Sequence, residues 1–185
     1  MTRSATTMRA DILESAARLF ATAGFRGTSL QDIASDVGCS KASLLYHFTN
    51  KDAILTELLS PVGRELAELE ERLAGLGGDE AVRGAVAGLV ELSLRFRREA
   101  TILIHDLDAM TSRPEVPDMP DMKALTERLV DALTGRSEDP RARVWGWMVL
   151  VGVTLTSAAD LAVPEETLRA ELTRGALRAL GRPIH

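Results

Sequence analysis

Apolar residues recur along this chain at the three-and-four spacing of α-helices almost from end to end, and no useful stretch alternates as a strand would. Met8, Ile12, Ala16, Leu19, Phe20 and Ala23 keep a helical period that stops at Gly24, with Phe25 placed to tuck back under the helix end. Leu30, Ile33, Ala34 and Val37 then build one apolar stripe on a short helix. Gly38 follows where a helix end needs a left-handed residue, and Ser40 sits where an N-cap oxygen would accept from the amides of a second helix. In that helix Leu44, Leu45 and Phe48 are expected inward, leaving Lys41, Ser43, Tyr46 and His47 outward. Thr28, with Gln31 three residues on, has the form of a capping box for the first of the pair.

Asn50 reads as the cap of a long helix carrying Ile54, Leu55, Leu58 and Leu59, in which Pro61 predicts a kink or a break. The pattern resumes at Leu66, Leu69 and Leu73 and fades in the loop from Gly75 to Gly78. Asp79 is the expected cap of a helix to about Arg98, with Val82, Val86, Leu89, either Leu92 or Ser93, and Phe96 inward. Thr101 to Met110 predicts a short helix, and Pro114, Pro117 and Pro120 a loop. Met122, Leu125, Leu129 and Leu133 mark the next helix, and Gly135 to Pro140 a turn. Val144, either Trp147 or Met148, Val151 and Leu155 share one side of a helix that is apolar almost all round. A last helix, with Pro164 at its first position, runs through Leu168, Leu172, Ala176 and Ala179 to Gly181. The expected fold is all-α: an N-terminal three-helix domain over residues 1–51 and a larger helical domain over residues 52–185, with the long helix after Lys51 shared between them.

A chain of 185 residues can bury a substantial core without staples. The single cysteine, Cys39, excludes an intrachain disulfide. No apolar run approaches the ~20 residues of a membrane span, and the first seven residues lack the apolar core of a signal peptide, so a soluble, cytoplasmic protein is expected. The net charge of −5 is unevenly spread, because residues 1–51 carry six basic against four acidic side chains and the remainder carries −7. Such a chain would meet duplex DNA at one end and repel it elsewhere. Residues 1–7 read as an arm in which Arg3 is available to a phosphate or the minor groove, or as a tail without a role.

Two short helices crossing at a tight glycine turn, the second polar and basic, suit insertion into a major groove. Lys41 and Ser43 are the candidates for base edges, Ala42 is small enough for close approach or a thymine methyl, and Ser40 caps the same helix end. Lys51 opens the next helix, where its ammonium and the free amides could share a phosphate. Thr28 and Gln31 are open to two readings, as caps or as contacts to the DNA. The helices near 141–160 and 164–181 are open to two as well, as intrachain core or as the surface of a homodimer; Trp145, Gly146, Trp147, Gly152, Ser157 and Ala158 mix large anchors with small residues that permit close approach.

Gly24-Phe25, Gly27-Thr28-Ser29-Leu30, Ile33-Ala34, Gly38, and Leu44 through Lys51 together resemble the N-terminal domain of TetR-family transcriptional regulators. The match covers about the first third of the chain; the remainder is similar in helical character and length. The resemblance implies a homodimer on a near-palindromic double-stranded operator, most simply as a repressor released by a small-molecule effector. It also gives Tyr46 and His47 the part of the family's backbone-gripping aromatic and imidazole pair. Many members carry tyrosine directly after the leucine of Leu44, whereas here Leu45 intervenes and turns the aromatic by ~100°.

The middle helices would enclose the effector. His105 interrupts an apolar run, and Phe96, Met110, Met122 and Trp147 could line a cavity with it, favouring a hydrophobic or aromatic molecule. A lone histidine on an apolar helix is more often a satisfied core residue, so His105 is open to that reading too. No catalytic residue, cofactor or metal site is expected: His47, His105, His185 and Cys39 show no ligand spacing, and no nucleophile elbow, phosphate loop or dinucleotide fingerprint occurs. The rival to a regulator is a helical scaffold protein whose helix-turn-helix only packs.

Overall fold

The computed structural model describes residues 5–105 and 121–182, without the side chains of residue 5 and residues 103–105. Among the described residues there are nine helices and no strand, as the periodicity predicts. We number them α1 (Ala5–Gly27), α2 (Leu30–Val37), α3 (Lys41–His47), α4 (Lys51–Leu73), α5 (Gly78–Arg95), α6 (Arg97–His105), α7 (Met122–Leu133), α8 (Pro140–Ala158) and α9 (Glu165–Ala179). The described residues divide into two compact units, one holding residues 5–61 together with 102–105, the other residues 62–101 and 121–182.

The first unit closes around Ile12, Phe20, Ile33, Leu44, Ile54 and Leu59, all fully buried. Each such side chain contributes roughly 1.5–3 kcal/mol of burial, enough to hold α2 and α3, which are too short to persist alone. Gly24 breaks α1 with φ 75° and ψ 161°, and Phe25 folds back against Phe20 at 5.1 Å between ring centroids. That break displaces the capping signal by one residue. Ser29, not Thr28, caps α2: its hydroxyl accepts from the Asp32 amide at 3.1 Å and its own amide donates to the Asp32 carboxylate at 2.7 Å. Thr28 is buried, and its hydroxyl donates to the carbonyl of Gly24 at 2.9 Å, beside the break in the helix, and to that of Leu19 at 3.3 Å.

Gly38 adopts the left-handed conformation the turn requires, φ 74° and ψ 36°, and Ser40 caps α3 by accepting from the Ser43 amide. Leu45, expected inward, is 41% exposed, because a seven-residue helix anchored by Leu44 and Phe48 turns its neighbouring edge outward. Asn50 accepts from the Ala53 amide at 2.8 Å and so caps α4. That helix runs on through Pro61. The ring forfeits one hydrogen bond, but Leu59 before it and Val62 after it are both buried, which outweighs the loss.

In the second unit side chains of α4 fill the space over two glycines of α5. A Cβ built on Gly88 would lie 2.3 Å from Leu69 Cδ1, and one on Gly84 2.8 Å from Leu73 Cδ2, so these glycines make room for the two leucine side chains of α4. Arg136 holds the end of α4: its guanidinium donates to the carbonyls of Leu73 at 3.0 Å and Leu76 at 2.8 Å. Asp79, expected to cap α5, lies inside its first turn and pairs with Arg83, while Gly77 occupies the cap. Pro164 precedes α9 by one residue as its cap. Two small residues expected on a pairing surface are intrachain instead. Gly146 is buried, and a Cβ there would meet Thr134 and Val130; Ser157 is fully buried, and its hydroxyl donates to the Ser93 carbonyl at 3.1 Å.

Candidate nucleic-acid interface

Burial of Leu44 and Phe48 fixes which way α3 faces. The opposite edge carries Lys41, Ala42 and Tyr46, all exposed, with Ser43 and His47 half-buried at its margins. Tyr46 is 84% exposed, an unusual cost for the chain's only tyrosine. Its ring meets that of His47 edge-on at 5.3 Å. Ser40 is exposed at the amino end of α3, its oxygen engaged by Ser43. These six residues form one continuous polar and aromatic edge on a helix whose N-terminus is free of acidic side chains.

The other three expected contacts are placed differently. Gln31 is exposed on α2 and donates to the Ser35 hydroxyl at 3.3 Å. Thr28 is buried with its hydroxyl committed, so the capping half of its two readings is also displaced, onto Ser29. Lys51 points back into the domain: Nζ donates to the carbonyls of Phe25 at 2.5 Å and Thr28 at 2.6 Å and lies 4.2 Å from the centre of the Phe25 ring. It ties the start of α4 to the turn before α2.

Two carboxylates on α2 are held ionised. Hydrogen bonding to Ser29, by hydroxyl and then amide, keeps Asp32 below its ordinary value of 3.8, and the Lys51 charge adds to the effect. Asp36 is lowered by the Ser15 hydroxyl, which donates to it at 2.6 Å, and then by Arg18. Asp32 thus closes the amino end of α2, and Asp36 ties α2 to α1. Sequence reasoning also passed over Arg9 and Glu57, which pair beside the end of α3. They stand 48 positions apart, and no local spacing marks them.

Of the residues expected around an effector, Phe96, Met122 and Trp147 are half-buried in the second unit, with Met122 against its core. The side chain of His105, and all of Met110, lie outside the described residues. Among the described residues no three His, Cys, Asp or Glu side chains converge as metal ligands, and no helix is long and apolar enough to cross a membrane.

A short capped helix, a left-handed glycine turn and a second helix with one buried and one solvent-facing edge make a helix-turn-helix, a motif that suits a major groove. Residues 12–58 match the sequence profile of "Bacterial regulatory proteins, tetR family". Over that stretch the chain is similar to this family of regulators. It is 43% identical over 51 residues to the transcriptional repressor KstR2 of Mycobacterium tuberculosis, covering 28% of this chain and 26% of that protein. It is 32% identical over 84 residues to the uncharacterized transcriptional regulator YerO of Bacillus subtilis, covering 43% of this chain and 29% of that protein. The chain thus aligns with less than a third of these relatives' length. Among solved structures, AmtR of Mycobacterium smegmatis superposes with a TM-score of 0.57 at 28% identity, over 96% of this chain and 87% of that one. KstR2 superposes with a TM-score of 0.69 over 98% and 95%, at 19% identity, which bears on the fold alone.

Proposed function

We propose that this chain is a ligand-responsive cytoplasmic repressor that binds a near-palindromic operator as a homodimer and is released by a small hydrophobic or aromatic effector. The observation that carries the DNA-binding part is the exposed edge of α3, with Tyr46 laid open while Leu44 and Phe48 anchor the opposite edge. Lys41, Ala42 and Ser43 read base edges, and Ser40, Tyr46, His47 and Gln31 meet the backbone around them. Thr28 and Lys51 act behind this edge, holding α2 and α4 in place.

A head with a net charge of +2 over residues 1–51 is weakly attracted to DNA. Pairing two heads supplies the missing affinity. What supports a pair is the outer side of α8 and α9. Trp145 and Met148 are 47% and 56% exposed, and they line a groove of about 250 Å³ with Gly152, Val153, Leu172 and Gly175. A Cβ on Gly152 or Gly175 would meet nothing within 4 Å, which leaves room for the helices of a second copy. An effector held near Phe96, Met122 and Trp147 would bias two arrangements of α4 and change the separation of paired recognition helices. Successive major grooves lie ~34 Å apart, so a shift of a few ångströms releases the dimer.

The test joins footprinting of the upstream DNA with nitration of Tyr46. The operator is expected to protect the only tyrosine from nitration, and affinity is expected to fall steeply with added salt. Tyr46 nitrated equally fast with and without a saturating operator would refute the placement. Gly175→Glu, which sets a charge in the α8–α9 groove, is expected to yield monomers in sedimentation and to weaken operator binding.

A further inference from the structure

Arg9 lies on α1, outside the helix-turn-helix, yet its guanidinium meets three groups around the end of α3. Nη1 donates to the carbonyl of His47, the last residue of α3, at 2.7 Å. Nε donates to Glu57 Oε1 at 3.1 Å, and Nη2 donates to Oε2, which makes a two-pronged pair with a carboxylate on α4. The guanidinium carbon stands 4.2 Å from the centre of the Phe48 ring. A single planar fork thus joins three helices, and a lysine could not reproduce it.

The site matters because of what it holds. The last carbonyls of a helix lack partners within it, and a cation there also complements its dipole. A helix of seven residues has little stiffness of its own, so its tilt is set by what grips its ends. At its amino end the grip is Ser40. At its carboxyl end it is Arg9, and Arg9 is aimed by Glu57.

We propose that Arg9 and Glu57 are positioning residues for DNA recognition: their fork locks the carboxyl end of α3 to the first turns of α4, so that α4 sets the angle at which α3 enters the groove. The inference rests on the reading of the chain as a duplex-binding regulator. It makes a prediction that opposes simple charge. Removing the carboxylate of Glu57 makes the head more positive, and electrostatic attraction alone would then tighten binding. Loss of the fork weakens it.

The experiment measures affinity of the full chain for its footprinted duplex by fluorescence anisotropy across a salt series. The proteins are wild type, Arg9→Met, Arg9→Lys, Glu57→Gln and the Arg9→Met/Glu57→Gln double variant, all assayed below their melting transitions. Arg9→Met is expected to lose about tenfold in affinity and Glu57→Gln about threefold, with the slope of log affinity against log salt unchanged. The double variant is expected to be no weaker than Arg9→Met alone, since both remove one device. Arg9→Lys, which keeps charge and stem, is expected to fall between wild type and Arg9→Met, and it carries the test if Arg9→Met does not fold. Glu57→Gln binding as tightly as wild type, or tighter, overturns the inference. So does a salt slope in Arg9→Met reduced by about one per head, which would make Arg9 a phosphate contact. A wild-type chain that binds no duplex overturns the regulator reading and this inference together, a result distinct from either.

Discussion

Replacing Gly88 by alanine sets two effects of known sign against each other. Gly88 sits within α5, where exchange of glycine for alanine normally stabilises a helix by about 1 kcal/mol. Here the new methyl would lie 2.3 Å from Leu69 Cδ1, 2.6 Å from Cδ2 and 3.0 Å from Cγ, and Leu69 is itself buried. Overpacking of that kind costs about 1–3 kcal/mol, so the net effect is a loss of about 1 kcal/mol. Truncating Leu69 removes all three atoms. In a Leu69→Ala background, itself destabilised by about 2–5 kcal/mol, the added methyl fills part of the void and Gly88→Ala turns stabilising by about 1 kcal/mol or more. The sign should reverse between the two backgrounds. Urea unfolding followed by tryptophan fluorescence reads the right unit, since Trp145 and Trp147, the chain's two tryptophans, both lie on α8. A midpoint that rises on Gly88→Ala in the wild-type background would refute the seating of the Leu69 side chain on Gly88.

Lys51→Met is expected to weaken operator binding several-fold while leaving the salt slope unchanged, because its ammonium is engaged by the carbonyls of Phe25 and Thr28; a slope reduced by about one per head would make it a phosphate contact. Thr28→Val keeps the shape but takes the hydroxyl donor from the Gly24 carbonyl, while Leu19 keeps that of Thr22, and should lower the stability of the first unit by about 1–2 kcal/mol in thermal melts. Asp36 titrates below its ordinary 3.8 when folded, so its contribution is present above that value and is lost as pH falls through the lower, folded one. An acid titration followed by circular dichroism should therefore show a less steep loss of helix in Asp36→Asn than in wild type.

What the sequence disclosed follows how far apart the interacting residues stand. The helix-turn-helix was legible because its signals are local: the stripe of Leu30, Ile33, Ala34 and Val37, the left-handed Gly38 and the cap at Ser40 all act within a few residues. The cap of α2 was misplaced by one residue, since Thr28 and Ser29 carry the same chemistry and only the break at Gly24 decides which hydroxyl turns inward. On α8 periodicity fails for a different reason. A helix that is apolar almost all round presents no preferred face, so Gly146 and Ser157 could not be told as buried, nor Trp145 and Met148 as exposed, until the neighbouring helices were in place. Lys51 and Arg9 show the same limit in charged residues. The sequence shows their charge but not their partners, which in each case include a backbone carbonyl at or near the end of a distant helix, joined for Arg9 by the Glu57 carboxylate. Side chains of this kind, basic and half-exposed beside a DNA-facing edge, invite assignment as phosphate contacts. In this domain the geometry turns both toward backbone carbonyls, and under the proposed function the reading of bases then falls to the exposed edge of α3.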